Sequence, residues 1–162
     1  MAKTLTDLFH DQLQDAYSAE TQLTKALPKM AKAASSPQLR AGFEQHLAET
    51  QNQLRRLEQV CQQVGCATSS NTCEAMEGLI EEGEEIIGLG LDADAQDAGL
   101  IAAAQKVEHY EIALYGTLYT FARRLGHPQA ATLLHETLDE EKRTDQKLTH
   151  LAESSVNPRA TA

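Results

Sequence analysis

Two glutamates, Glu108 and Glu111, interrupt an otherwise apolar helical segment at residues 102–122. Positions three or four apart share one side of a helix, so both carboxylates fall on the face that Ala104 and Leu118 would bury. Burying an unpaired carboxylate costs several kcal/mol unless the group is neutralised. The pattern therefore predicts a buried acidic site of the kind that a bound metal ion satisfies.

Other acidic and imidazole side chains take inward positions in further helical segments. Glu20 lies near the apolar centre of the first segment, and His46 lies beside Phe43 with Glu49 one turn later. Carboxylates and imidazoles brought to one axis from several helices are potential oxygen and nitrogen donors. The complete set of candidate metal ligands is Glu20, His46, Glu49, Glu108, Glu111, Glu140, Glu141 and Asp145.

Few cationic side chains are available to balance these charges. Lys106, Arg123 and Arg124 fall on exposed or terminal positions of the same helical segment. Carboxylates that face each other cannot all ionise without a compensating cation. Carboxylate oxygens together with one or two imidazoles suit iron, manganese or zinc. We therefore predict two divalent metal ions in the core, with iron as the first choice and manganese or zinc as alternatives.

The last long helix offers two alternative ligands. A weak internal repeat, in which residues 91 positions apart correspond, pairs Glu140 with Glu49. Helical periodicity instead favours Glu141, which falls among leucines, with Asp145 on the same stripe. The repeat carries slightly more weight for one ligand because Glu49 lies just as far from the apolar centre of its own helix. Both alternatives stay open at this point.

The elements that must position these residues are helices. Apolar residues recur at helical spacing, and Pro37 and Pro128 each suit the first position of a helix. We predict one domain over residues 1–162, with helices at about 4–34, 37–63, 73–88, 96–125 and 128–153 and a disordered tail at 154–162. Four long helices with one long crossover that contains a short fifth helix form an all-α, ferritin-like four-helix bundle.

The composition excludes several classes of function. The formal net charge of −10 argues against a nucleic-acid-binding protein and against binding to anionic membranes. No apolar run approaches the length of a membrane span, and the first residues have no signal-peptide core. Three cysteines are too few for a disulfide framework, so a cytoplasmic location is expected.

Several segments together resemble the YciE/YciF family of bacterial ferritin-like stress proteins, which is distantly similar to the rubrerythrins. They are DAYSAETQLTKALPKMA, HLAETQNQ, AMEGLIEE, LIAAAQKVEHYEIALYGTL and ETLDEEKRTDQKLTHLA, and the similarity spans about residues 4–157. The resemblance implies a homodimer with a role in stress responses. It also implies that peroxidase chemistry would need an external electron donor, since no cysteine-rich electron-transfer module is present.

The sequence departs from the broader ferritin-like pattern in its histidines. That pattern has a lone glutamate on the first and third helices, which Glu20 and Glu111 match, and Glu-x-x-His on the second and fourth. If Glu49 and Glu140 begin those motifs, Asn52 and Arg143 stand where histidines are expected. The site is therefore rich in carboxylates and poor in imidazole.

Two functions from different classes follow from these patterns. The first is a stress-associated protein with a carboxylate-rich di-metal site that handles iron or reacts with peroxide or O₂. If it is an enzyme, it is a di-iron or di-manganese oxidoreductase, with Tyr17, Tyr110 and Tyr115 as candidate electron relays. The alternative is a non-catalytic structural or interaction protein that uses the same bundle as a dimeric scaffold.

Overall fold

The computed structural model describes residues 3–68 and 72–161, and this part of the chain contains helices and no strand. The predicted loop after the second helix falls partly on residues 69–71, outside the described residues. The helices are α1 (Leu5–Ala33), α2 (Pro37–Val64), α3 (Glu74–Gly88), α4 (Ala93–Arg124), α5 (Pro128–Leu151) and the short α6 (Asn157–Ala160).

Capping residues set the beginnings of the long helices. At the start of α1, Thr4 and Asp7 exchange hydrogen bonds in a capping box. Ser36 caps α2, where Pro37 occupies the first turn. The Asp92 carboxylate accepts from Ala95 N, which explains why α4 begins at Ala93 rather than near residue 96 as the periodicity predicts.

The four long helices pack in a ring. α1 packs on α2, α2 on α5, α5 on α4, and α4 on α1, so consecutive long helices are neighbours except across the connection from α2 to α4. That connection carries α3, which lies against α4 and α1. The architecture is therefore a four-helix bundle with one long crossover and a short fifth helix, as the sequence predicts.

The carboxyl-terminal segment differs from the prediction of a disordered tail at 154–162. A π-helical turn, Ala152–Val156, continues directly from α5 and leads into α6. Val156 has no exposed surface and belongs to the same apolar cluster as Leu100 and Leu148. The prediction of disorder followed from the polar composition of the segment. Val156 nevertheless packs in the apolar cluster and holds the tail against the bundle.

The interior has two apolar regions with charged residues between them. One region contains Leu23, Phe43 and Ile101, and the other contains Leu13, Leu57, Leu118 and further side chains. Between them, a set of side chains that we call the acidic layer is buried at mid-height. It consists of Glu20, His46, Glu108, Glu111 and Glu141.

Candidate metal centre

Four residues of the acidic layer converge on one position. α2 supplies His46, α4 supplies Glu108 and Glu111, and α5 supplies Glu141. Each offers one ligand atom, and these atoms all lie within 4.8 Å of one another. The three glutamates have no exposed surface, and His46 is 3% exposed. The arrangement could hold a metal ion with three carboxylates and one imidazole.

Both nitrogens of His46 face carboxylates. Nδ1 lies 3.2 Å from Glu108 Oε1, and Nε2 lies 3.6 Å from Glu141 Oε2. The imidazole, which α2 supplies, therefore lies between Glu108 of α4 and Glu141 of α5. It can be a metal ligand when neutral or a charge partner when protonated.

Glu20 completes the layer from α1. Its Oε1 accepts a hydrogen bond of 2.5 Å from the hydroxyl of Tyr115, which is itself 1% exposed. Its Oε2 has no hydrogen-bond partner. Tyr115 is one of the sequence's candidate electron relays, and the structure places it as the donor that orients Glu20.

Burial and mutual repulsion raise the pKa values of Glu20, Glu108 and Glu111. For Glu108, loss of solvation is the main cause, and the nearby Glu141 carboxylate raises the pKa further. Burial likewise raises the pKa of Glu20, with Glu141 adding to it, and the pKa of Glu111, where Glu20 is the next cause. Without a cation, the layer therefore favours bound protons over ionised carboxylates.

The unsatisfied atoms of the layer provide the test of whether a metal fits. Both oxygens of Glu108 and Glu111, Oε2 of Glu20 and Glu141, and Nε2 of His46 are buried without a hydrogen-bond partner. Within the described residues, no lysine or arginine forms an ion pair with any glutamate of the layer. Because buried polar atoms are almost always paired, this set of acceptors fits a cation with oxygen and imidazole ligands.

The structure places three predicted ligands outside the layer. Glu140 is half-buried and forms an ion pair with Arg56 at 2.6 Å. Glu49 is half-buried on α2, where it accepts from Gln45 and Thr144. The third, Asp145, accepts from Gln105 and lies 3.3 Å from His109.

The environment of Glu140 explains why it is not part of the acidic layer. Partial burial raises its pKa, but hydrogen bonds from Arg56 and Gln53 outweigh this, so that its pKa lies below the usual range. The guanidinium already satisfies both carboxylate oxygens. Arg56 is an inward-leaning cation that the sequence analysis missed, because arginine is expected on an exposed face.

At the predicted offset of 91 residues, the buried pairs on α2 and α5 differ from the identical pair Glu49 and Glu140. Buried positions of α2 correspond to buried positions of α5 at that offset: 39 with 130, 43 with 134, 46 with 137, 50 with 141, 53 with 144 and 57 with 148. Thus Glu141 corresponds to Thr50, not to Glu49. Burial therefore supports the periodicity argument for Glu141, whereas the repeat argument selected Glu140, which lies outside the layer.

The same alignment corrects the position of the expected Glu-x-x-His motifs. Asn52 and Arg143 are exposed, so they do not occupy the inward histidine positions. Those positions hold Gln53 on α2 and Thr144 on α5, which are buried. The prediction of an imidazole-poor site is unaffected, since neither residue is a histidine.

Gln53 is the principal residue of the site that sequence reasoning missed. Its amide Nε2 donates to Glu141 Oε1 at 2.5 Å and lies 3.1 Å from Glu140 Oε2. Thr50, one turn before it, is fully buried with an unpaired hydroxyl oxygen. Both residues lie at helical spacing with the apolar residues of α2, such as Phe43 and Leu57, and this spacing is the signal that could have identified them.

A groove reaches the layer from outside between α2 and α5. It encloses about 370 Å³ and is lined by His46, Glu49 and Thr144 together with apolar residues such as Phe43 and Leu148. The imidazole at its inner end is the part of the cluster closest to this opening. The groove therefore provides a route by which small solutes can approach His46.

Comparison with known proteins agrees with this architecture. Residues 4–161 match the family described as a domain of unknown function, DUF892. The chain is 53% identical over 159 residues to protein YciF of Escherichia coli K12, covering 98% of this chain and 96% of that protein. The crystal structure of the E. coli stress protein YciF matches with a TM-score of 0.93 over 96% of this chain and 99% of that chain.

Two further solved structures share the fold. YcfI from Rhodopseudomonas palustris, described as a proposed structural protein, is 46% identical with a TM-score of 0.88, over 91% of this chain and 94% of that one. A protein from Xanthomonas campestris has a TM-score of 0.76 at 22% identity, over 95% and 94% of the two chains, and supports the fold alone. The resemblance to YciF and the predicted all-α, ferritin-like bundle are thus confirmed.

Membrane insertion by a helix finds no support in the structure. In the part of the chain that is described, no helix combines the length and the apolar character needed to cross a bilayer.

Proposed function

The chain belongs to the DUF892 family, and on that premise we propose that it is a stress-associated protein whose bundle core binds a transition metal. We propose iron as the metal, used for iron handling or for reaction with peroxide or O₂. The similarity to the E. coli stress protein YciF supports the link to stress. A cytoplasmic location and an external electron donor remain part of the same proposal.

The observation that carries the proposal is the set of buried acceptors without donors. His46, Glu108, Glu111 and Glu141 offer ligand atoms within 4.8 Å of one another in a region that has lost its solvent. A divalent or trivalent cation would neutralise charge there that the protein otherwise suppresses by protonation. Three carboxylates and one imidazole suit iron or manganese, and zinc less specifically.

Bound iron would supply one-electron redox chemistry toward peroxide or O₂. The residues of the chain have separate tasks around it. Tyr115 fixes Glu20, and Gln53 fixes one oxygen of Glu141. The apolar regions on both sides of the layer exclude bulk water, and the groove between α2 and α5 leaves His46 within reach of small solutes.

Metal retention in two neighbouring variants tests the proposal. We expect the aerobically purified protein to retain iron or manganese, measured per chain by elemental analysis. Glu141→Gln should lose most of this metal, because it removes a ligand charge from the layer. Glu140→Gln is the matched control, since Glu140 pairs with Arg56 outside the layer, and it should retain wild-type metal.

A structural or interaction protein is the second candidate function. Its support is the neutral character of Thr50, Gln53 and Thr144, which stand at the α2 and α5 positions of the Glu-x-x-His motifs. The description of the R. palustris relative as a proposed structural protein points the same way. Absence of bound metal, with a melting temperature unchanged by chelation, would favour this function over the first.

A further inference from the structure

We infer that the two halves of the acidic layer are unequal and that each chain tightly binds one metal ion, not the two expected of a ferritin-like bundle. The ion is held by His46, Glu108, Glu111 and Glu141, whereas the half that α1 and α2 form offers Glu20 and, beyond it, the neutral side chains of Thr50 and Gln53. This inference rests on the proposed metal-binding function. It extends that function to the number of ions and to the residues that determine it.

The α4–α5 half has a complete ligand set. Both helices contribute carboxylates, and His46 reaches across from α2 to within 3.2 Å of Glu108. Each of these side chains keeps at least one buried ligating atom without a hydrogen-bond partner. The three carboxylates and one imidazole can therefore surround one ion without further residues.

The α1–α2 half lacks the matching charges. At the repeat offset, the counterparts of Glu141 and Thr144 are Thr50 and Gln53, both fully buried and both neutral. In di-metal carboxylate bundles, two helices each contribute a Glu-x-x-His motif, and those glutamates reach both ions. Here α2 contributes no carboxylate to the layer, since Glu49 is turned toward Gln45 and Thr144.

Gln53 also donates a hydrogen bond to one of the two oxygens of Glu141. Its Nε2 lies 2.5 Å from Glu141 Oε1 and 3.1 Å from Glu140 Oε2. An ionised carboxylate oxygen only accepts, so the donor end of the amide faces the two glutamates. The N–H group of Gln53 thus occupies one lone pair of Glu141 Oε1 and competes with an ion for that oxygen.

Glu20 is restrained in the same way. The hydroxyl of Tyr115 donates to its Oε1 at 2.5 Å, and this tyrosine is buried in the apolar region next to the layer. One oxygen of Glu20 remains without a hydrogen-bond partner, as do the neutral hydroxyl oxygen of Thr50 and amide oxygen of Gln53. A second ion would meet one carboxylate oxygen and two weak ligands, so it should bind much less tightly than the first.

The experiment is a titration of the metal-free full-length protein with Mn²⁺ under anaerobic conditions. Bound metal is counted after gel filtration, and the electron paramagnetic resonance spectrum is recorded at two equivalents. We expect one retained ion per chain and the spectrum of an isolated Mn²⁺. Two retained ions with an exchange-coupled spectrum would overturn the inference but leave the proposed function intact, whereas no retained ion would overturn both.

Variants test whether Thr50 and Gln53 cause the asymmetry. The double change Thr50→Glu with Gln53→His creates a Glu-x-x-His motif on α2 and should double the retained Mn²⁺. Gln53→Glu, nearly the same shape as wild type, is the milder variant and should give the same direction of change if the double variant does not fold. Asn52→His is the control, because residue 52 is exposed and should leave the count at one. Folded variants of Thr50 and Gln53 that still retain one ion would refute the assignment.

Discussion

At the scale of single residues, the hydroxyl of Tyr115 is the feature that connects the apolar core to the acidic layer. Burial raises the pKa of this phenol, and the nearby Glu20 carboxyl raises it further, so Tyr115 stays a hydrogen-bond donor over the ordinary pH range. The donor compensates one oxygen of a fully buried carboxyl group. A buried acceptor that loses its donor carries its full desolvation cost.

Replacing Tyr115 with Phe should therefore destabilise the metal-free protein by about 1–3 kcal/mol. The ring still fills its site, so the loss reports the hydroxyl and not a cavity. Urea unfolding followed by circular dichroism measures it. Tyr119→Phe is the matched control, because the Tyr119 hydroxyl only accepts at 3.3 Å from Arg123 on the exposed side of α4. Equal stability of the Tyr115 variant and wild type would contradict the role of this hydrogen bond.

The raised carboxyl pKa values of the layer predict an unusual pH dependence. Glu20, Glu108 and Glu111 hold protons in the folded protein at pH values where the unfolded chain, with ordinary pKa values near 4.5, has released them. The folded state then binds more protons, so the stability of the metal-free protein falls as pH rises above about 4.5. Each retained proton contributes a slope of about 1.4 kcal/mol per pH unit.

Denaturant unfolding between pH 5 and 8 measures this dependence. We expect the metal-free protein to lose stability toward pH 8 and saturation with metal to reduce the loss, because the ion takes over the role of the protons. Glu111→Gln should flatten the slope by removing one of the titrating groups. A metal-free protein whose stability rises from pH 5 to 8 would show that the carboxyl groups ionise freely in the fold.

At the scale of elements, the helices could be predicted from the sequence more completely than the site. Apolar periodicity, Pro37 and Pro128 locate the long helices, because core-facing leucines and first-turn prolines are strong local signals. Which of two adjacent residues is buried depends on side chains of other helices and cannot be read from the local sequence. Glu140 and Glu141 are adjacent acids on one helix for which the repeat and the periodicity favoured different ligands, and Arg56, from another helix, pairs with the first.

Cross-helix partners explain the other differences as well. Gln53 and Thr50 carry no charge, so composition does not mark them as part of an acidic site, although both are fully buried. Asp97 shows the converse, since it is a buried acid with a purely structural role. It accepts from the backbone N–H groups of Ser35 and Ser36 and holds the turn between α1 and α2. Spacing alone does not distinguish such a turn-binding acid from a metal ligand.

The carboxyl-terminal turn gives a prediction at the element scale. Val156→Ala removes a fully buried side chain from the apolar region and should cost about 2 kcal/mol. Arg159→Ala is the control, because its ion pair with Asp94 is close to half exposed on both sides and contributes little. The measurement is the melting temperature of each variant relative to wild type. A Val156 variant as stable as wild type would contradict this role of Val156 and support the disordered tail that the sequence predicts.

At the scale of the whole molecule, the homodimer implied by the family resemblance remains a prediction. Leu89 and Leu91, which follow α3, are 65% and 41% exposed and offer two apolar side chains close together in sequence beside the crossover helix. We expect the purified chain to elute with twice the mass of 17.7 kDa in light-scattering gel filtration. Leu89→Asp should shift it toward the monomer, whereas Glu85→Gln, an exposed change near the end of α3, should not. A wild-type monomer at micromolar concentration would refute the prediction.

The division of the interior into two apolar regions has a consequence for how the bundle opens. Helical bundles ordinarily fray at their ends and are most protected at mid-length. Here the mid-length carries buried polar atoms without hydrogen-bond partners, and the apolar regions lie to either side. In the absence of an ion, backbone amides near Glu111 and Glu141 should therefore exchange with deuterium sooner than those near Leu100 or Leu118. Binding of the ion should reverse that order, so that the least protected level of the bundle becomes its most protected one.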